Sequence, residues 1–554
     1  MIILLFSIFL FLSATFGYGR LFLRINRLDD LNLSFGETGI LGLFFLTFIG
    51  LSLHFFFPLG QNLNLIIILV GILFLIYQIF SSQIKISLKY YKISLIIFLT
   101  SLLMFLGYNP NEDFGYYHLP YIINLNSEKI IFGLSNLQLN QGWNSSWLLI
   151  KSIYNIKFIG INGVFVSNVI FYILISFVFL NYFYFNQFKS KSIFFFSFFF
   201  FIFLNLKFAR LNSYGLDVPA NFLAIYVFIL FLFCLYNQNS QKKFFQYLEI
   251  LILISLFSIS FRVLNLIILI LPLILILKYK IEFIKLIKSR IIIFSALFFL
   301  IWQIQQIIYT GCFIIPNELT CFQNLSWFDQ NIIENFKNDT SRVNKSFQTY
   351  SGNLNRDEYL SNFNWVSNWY DRNHVELFEH ILTFLFPIII FILIYKDKFT
   401  TDFEFAKQEN NFYILLVTLI ILIIWFIKAP VIRFATLYIQ TLVLIIIILL
   451  LKNKFNKIIT SKIIILFLLF ALVGNFVKNT LRYKNNNILT IYPHIPKIEY
   501  SVSNRLDLKL NIPKKISGVD KSELCWNTPF LCRIGTFDGL DIKRINNYLF
   551  ILKK

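Results

Sequence analysis

The sequence is built from long uninterrupted apolar runs. Residues 218–236, for example, read VPANFLAIYVFILFLFCLY, without one charged side chain. A helix needs about 20 such residues to cross the hydrocarbon layer of a bilayer. Comparable runs fall at about 2–17, 38–58, 62–79, 92–107, 159–180, 192–206, 291–309, 379–395, 411–427, 433–451 and 462–477. Residues 247–277 form a longer run that carries Arg262. As one helix it would extend about 46 Å at 1.5 Å per residue and set Arg262 near mid-membrane. Splitting it at Arg262 gives two short spans. The sequence thus predicts an all-α polytopic integral membrane protein with about 14 transmembrane helices. Composition agrees: 57% of the 554 residues are hydrophobic and 14% are charged. A soluble domain could not hide that much apolar surface.

The net charge of +21, from 49 basic and 28 acidic residues, would suggest nucleic acid in a soluble protein. Here Lys and Arg gather in the loops after spans 1, 3, 5, 7, 9, 11 and 13, as a cytoplasmic bias requires. The expected partner is the lipid bilayer, with no nucleic acid. The same parity puts three long polar stretches, 108–158, 310–378 and 479–554, on the non-cytoplasmic face. Both close cysteine pairs, Cys312/Cys321 and Cys525/Cys532, fall there. They fit two local disulfides in an oxidising compartment, with four free thiols as the alternative. Neither pair has the spacing of a zinc site. Cys234 lies alone inside a span. Residues 1–91 read as a three-helix N-terminal extension, 92–478 as the core, and 479–554 as a small soluble segment whose alternating pattern favours strands.

The first polar stretch is the chemical focus. It opens YNPNEDFGYYHLPYI and continues to QGWNSSW. Carboxylates at the edge of a membrane bundle are costly and mark function. Asp113 can take a proton from an incoming hydroxyl or hold a hard divalent cation; the alternative is a solvated loop acid. Glu112 can assist or point away. His118 reads as a structural hydrogen bonder before a base. Within this stretch, 121–134 and 144–157 predict amphipathic helices lying flat on the membrane. Asp217 opens the seventh span after Tyr214-Gly215-Leu216, as a second acidic ligand for a sugar or metal or as a helix N-cap. The cations of the outer short loops are Lys207, Arg210, Arg262, Lys428 and Arg433. Arg262 and Arg433 are the candidates for a phosphate, which a guanidinium fork grips with two bonds; snorkelling to headgroups is the alternative. Trp143, Trp147, Trp327, Trp365 and Trp369 can stack on sugars or anchor at the interface. No Walker loop, dinucleotide fingerprint, HExxH or GxSxG is present.

The acidic loop Asn111-Glu112-Asp113-Phe114-Gly115-Tyr116-Tyr117 resembles the first large outer loop of GT-C-type glycosyltransferases. Counted from the fourth span, 11 spans remain with the acid after the first. That plan is similar to the protein O-mannosyltransferase and aminoarabinose-transferase branch; the three preceding spans depart from it. The runs DFGYYHLPYI, KIIFGLSNLQLNQGWNSSW, APVIRF and CWNTPFLC also resemble a poorly characterised group of bacterial membrane proteins of GT-C-like character. The resemblance implies transfer of a sugar from a polyprenyl-phosphate-linked donor to a saccharide or lipid acceptor. The enzyme would sit in a bacterial inner membrane with its site facing the periplasm. Asp113 would be the base, beside Glu112, His118 and Asp217, with Arg433 or Arg262 beside the leaving phosphate. Some members use Mg or Mn, for which Asp113 and Asp217 are the ligand candidates. Three rival readings are an O-antigen polymerase or ligase, which rests on Arg and His, a transporter of lipid-linked saccharides, which predicts charged spans and an internal repeat, and a non-catalytic scaffold, which would not need the polar loops to converge on one cleft.

Overall fold

The computed structural model describes residues 2–81, 91–106, 112–185, 191–207, 215–236, 240–395, 409–450, 461–485, 498–505, 508–515 and 523–554. Eleven described helices are long and apolar enough to cross a membrane, and three shorter apolar helices accompany them. The chain is therefore a multi-pass membrane protein of the helical type. The 247–277 run does break at Arg262, which is extended (φ −156°, ψ 120°). Its first member, Gln241–Phe261, is a full-length span and not a short one; the second is a 3-10 turn, Val263–Leu269, continued by Ile270–Lys278. Other bounds move because the helices continue into the flanking polar sequence. The first helix runs from Ile2 to Ile25, so Arg20 lies on it and donates to Gln78 (3.0 Å). Val366–Tyr395 starts well before the apolar run it contains. Of the basic loops behind the charge bias, those at 82–90, 186–190, 396–408 and 451–460 lie outside the described residues.

The first three helices are not an appendage. Phe35–His54 is largely buried, and Glu37 at its start accepts from the Tyr182 hydroxyl (2.6 Å) and from Asn181 (3.2 Å), beyond the end of Gly163–Leu180. Glycines let these helices touch. A Cβ at Gly42 would fall 1.8 Å from the Thr15 carbonyl oxygen, one at Gly19 2.0 Å from that of Thr38, and one at Gly17 2.0 Å from that of Gly71. In a membrane, where apolar side chains gain little by leaving lipid, such backbone approach is a main source of helix association.

The three polar stretches meet in one cap. Strand β1 (Ile131–Phe132) lies in the first stretch. The tail supplies a hairpin of β2 (Tyr500–Arg505) and β3 (Leu508–Pro513), then β4 (Leu540–Ile545) and β5 (Tyr548–Lys553). β5 pairs antiparallel with β4 and parallel with β1, with Leu549 opposite Ile131. The expected strands are present, but the tail is no separate segment. Trp526, Leu549 and Ile551 belong to the same apolar core as the bundle, and Arg544 pairs with Glu128. The middle stretch joins through Asn136, whose side-chain amide donates to the Trp327 carbonyl (2.9 Å), and through Asp329, which pairs with Lys553 of β5. Cys312–Cys321 and Cys525–Cys532 are both disulfides, and Cys234 is a buried thiol.

The two surface helices expected in the first stretch are corrected. The 121–134 region is a helix, Leu119–Ser127, then β1 and a short turn of helix, Leu134–Leu137. The 144–157 region holds a helix, Ser146–Ile153, buried along its whole length. It is wedged inside because Trp147 packs on Phe171 and Phe261 and Ser145 donates to the Phe261 carbonyl (3.1 Å). The close helix approach gives a direct test. Gly42→Ala should destabilise the protein by about 1–3 kcal/mol through overpacking. Thermal unfolding in detergent should show a clear drop for Gly42→Ala and none for Gly60→Ala, where a Cβ meets nothing nearer than 3.5 Å.

Candidate functional site

Asp113 stands directly before a π-helical turn, Phe114–His118. Such turns insert a residue into a helix and recur at functional sites. The tail holds this one in place: Trp526 N–H donates to the Gly115 carbonyl (2.9 Å), and the indole covers Gly115 so closely that a Cβ there would lie 2.3 Å from the ring. Trp526 is itself set within the Cys525–Cys532 loop.

Arg433 arrives from the other side, on the first turn of Ile432–Leu450. The preceding APV turn is pinned by two indoles, Trp369 Nε1 donating to the Pro430 carbonyl and Trp425 Nε1 to that of Val431 (2.8 Å). Arg433 Nη2 then meets Asp113 Oδ2 at 3.1 Å, and its Nε meets Asp217 Oδ2 at 3.4 Å. Asp217, the first residue of Asp217–Tyr236, also pairs with Arg262 Nη1 at 3.4 Å. Arg262 is fixed further by the Phe434 carbonyl (3.2 Å) and by the Phe434 ring, 3.9 Å from its guanidinium carbon. Two carboxylates and two guanidiniums thus form one chain, Asp113–Arg433–Asp217–Arg262. The outer pair is the more exposed: the Arg433 and Asp113 side chains are 47% and 30% exposed, those of Asp217 and Arg262 18% and 7%.

The arrangement tests the idea of a divalent cation at Asp113 and Asp217. Arg433 occupies the space both carboxylates face, and among the described residues no three His, Cys, Asp or Glu groups converge. The residues do not fit a metal, so the Asp113/Asp217 metal pair is replaced by a carboxylate pair bridged by arginine.

Behind Asp113 lies a second layer. Tyr117 is partly buried; burial, then the Asp113 and Asp217 charges, push its hydroxyl up, so it stays protonated. His118 is buried with its ring edge-on to Tyr117 (4.3 Å), and a Cβ at Gly215 would sit 2.7 Å from it. Burial first, then the positive fields of Lys151 and Arg433, hold it well below the usual histidine range, and its Nε2 has no hydrogen-bond partner among the described residues. It is a neutral packed ring, and its Nε2 does not make the expected structural hydrogen bond to the described residues. Burial pushes Lys151 down to about 7. Glu112 is exposed beside Asp113.

Other expected residues lie elsewhere. Lys207 pairs with Glu379 (2.6 Å), Lys428 is exposed, and Arg210 and Tyr214 lie outside the described residues. Trp147, Trp365 and Trp369 are buried, Trp327 packs on Phe132 (5.0 Å) and Trp143 on Phe336 (5.6 Å). Trp147, Trp365 and Trp369 therefore serve packing, while Trp143 and Trp327 are half-buried. Tyr117, Phe434 and Trp526 were not singled out by spacing; their only signal is adjacency to Asp113, Arg433 and Cys525.

The Lys151 environment predicts a pH effect. An unfolded lysine titrates near 10.5, so below about 7 both states are protonated and the burial penalty is full. Between about 7 and 10.5 the unfolded chain binds more protons, and stability rises with pH. Lys151→Met should therefore raise the thermal midpoint more at pH 6 than at pH 9, as melts at the two pH values would show.

No curated protein and no solved structure matches the chain. Residues 1–440 match a family described as a domain of unknown function (DUF8201), and this span contains all four charged residues of the cluster. With most of its 554 residues matched, the chain belongs to that family.

Proposed function

We propose that this protein is a membrane glycosyltransferase of GT-C type. It would move a sugar from a polyprenyl-phosphate-linked donor to an acceptor hydroxyl on a saccharide or lipid. One observation carries the reading: a half-exposed carboxylate and guanidinium, Asp113 and Arg433, meet at the mouth of a helical bundle with a second such pair behind them. The charge bias of the loops supports an outward-facing site, on the periplasmic side of a bacterial inner membrane.

Asp113 is the base that takes the acceptor hydroxyl's proton. The oxygen attacks the anomeric carbon, the bond from that carbon to the phosphate oxygen breaks, and its electron pair leaves on the phosphate. Arg433 is the exposed cation within reach of that developing charge. Arg262 does not take the leaving group; it is committed to Asp217 and Phe434, and orients Asp217 against Arg433. Positive charge comes from arginine, and no step runs through a metal.

The test uses membranes containing the full chain, supplied with radiolabelled prenyl-phosphate hexoses and scored for release of prenyl phosphate. Asp113→Asn should lower turnover by about 10²–10⁴-fold, the usual worth of a positioned base. Arg433→Lys should also fall, because an ammonium lacks the fork. Transfer that survives Asp113→Asn would overturn the reading and favour a polymerase-type site resting on arginine.

A further inference from the structure

The middle polar stretch brings a second group of cations together. Helix Gln330–Asn344 ends at Lys345, and the chain turns there through Ser346, a non-glycine in the left-handed region (φ 62°). Such backbone persists where its surroundings over-determine it. Here the Tyr359 hydroxyl donates to the Lys345 carbonyl (2.8 Å) and Asn368 Nδ2 to that of Ser346 (3.0 Å). The turn carries the Lys345 ammonium over the Trp365 ring, 5.0 Å from its centroid. Trp365 packs on Phe426 (5.1 Å), and two residues further on Lys428 ends the helix Glu409–Lys428. Two ammoniums from separate elements thus stand around one aromatic floor. Among the described residues neither pairs with a carboxylate, whereas Lys207 is taken up by Glu379. Burial, then the Lys428 charge, hold the Lys345 ammonium below the usual lysine range. The helix dipole explains a lysine at each helix end. It does not explain two like charges gathered beside an indole, where each raises the cost of the other. An anion between them would remove that cost.

The surroundings say where such an anion comes from. Preceding Lys428 on the same helix, Ile423, Ile424 and Ile427 are exposed, as the lipid-facing side chains of a span are. Phe363, beside Trp365 (6.3 Å), is exposed as well. The lysines therefore stand where the apolar surface of the span gives way to the polar stretch. We propose that Lys345 and Lys428 form a binding site for the phosphate of a membrane lipid, with a phosphomonoester as the preferred class. A monoester carries nearly two negative charges at neutral pH and matches two ammoniums; a diester carries one. Lysine suits this task as a point charge on a flexible stem, which can follow a headgroup. The site is separate from the Asp113–Arg433 mouth: Lys428 precedes the Ala429-Pro430-Val431 turn and Arg433 follows it. The inference does not rest on the transferase reading.

The experiment is equilibrium binding of radiolabelled dioleoyl phosphatidic acid to the immobilised full chain in detergent micelles, with the thermal midpoint of each variant recorded. Lys345→Gln and Lys428→Gln should each weaken binding about fivefold, the worth of one lysine at an anionic lipid surface. Lys345→Met, which keeps an apolar stem on Trp365, gives the same reading if the Gln variant melts early. Lys345→Arg and Lys428→Arg keep the charge and should bind nearly as the unaltered protein does. Lys157→Gln, at an exposed lysine of the first polar stretch, should change affinity little. Unchanged binding in the Lys345 and Lys428 variants would overturn the site, and so would an equal loss in Lys157→Gln, which would assign the effect to net charge. Phosphatidylglycerol, a diester, should bind more weakly; equal binding would overturn the monoester preference. Inorganic phosphate should compete poorly, and displacement at equal affinity would overturn the lipid source. Loss of binding in Arg433→Gln alone would place the phosphate at the mouth of the bundle, which overturns this inference and leaves the transferase reading standing.

Discussion

Charge pairing at the edge of a low-dielectric bundle is the constraint from which the site follows. An isolated carboxylate or guanidinium there loses water and gains nothing in return. Each of the four charged groups is held by the next, and the buried end is closed by the Phe434 carbonyl and ring. Four elements far apart in sequence must meet for this to work: the turn that follows Asp113, the helix opening at Asp217, the end of Gln241–Phe261 and the helix opening at Ile432. The helix that precedes Arg262 has to end where it does, since a continuous helix would carry that side chain past Asp217. The packing of the bundle and the chemistry at its mouth are therefore one problem. The glycine-mediated contacts of the first helices act on the same rigidity, because they set the scaffold against which the spans bearing Asp217 and Arg262 lie.

The cap solves a second problem. A π-helical turn in a short exposed helix has no reason to persist alone. Here its buried face is covered by Trp526, and the strand that follows it is completed by β5 from the end of the chain. The tryptophans that a sequence reader assigns to sugars are consumed in this construction. In these Asn- and Ser-rich stretches indole rings pack beside the buried Ile and Leu side chains, and the Trp327 N–H finds the Ile307 carbonyl (3.0 Å). Trp369 and Trp425 do this at the turn before Arg433 and in doing so aim the guanidinium.

Much of this was legible in the residues, for reasons that differ by element. The spans follow from apolar length alone, and the break at Arg262 from the cost of a charge in mid-membrane. Asp113, Asp217, Arg262 and Arg433 stand out because ionised groups are scarce in such a chain, and the structure brings all four together. What the sequence hides is long-range burial. The helix Ser146–Ile153 looks amphipathic because of Lys151, yet that lysine is buried. His118 carries the features of a catalytic base but is packed behind Tyr117. The tail reads as strands without showing that β1, more than 400 residues earlier in register, is their partner. Periodicity reports which face of an element is apolar, not whether another element will cover its polar face as well.

The dependence of the Asp113 turn on Trp526 and β5 has a consequence for biogenesis. A ribosome delivers Asp113 to the membrane long before it makes the residues that clamp it. Through most of translation the acid-bearing turn lacks its cover, and the cluster's rim stays unfinished. On the proposed outward-facing topology, the rim would be completed only once residues 523–553 have reached the same side of the bilayer and closed their disulfide loop.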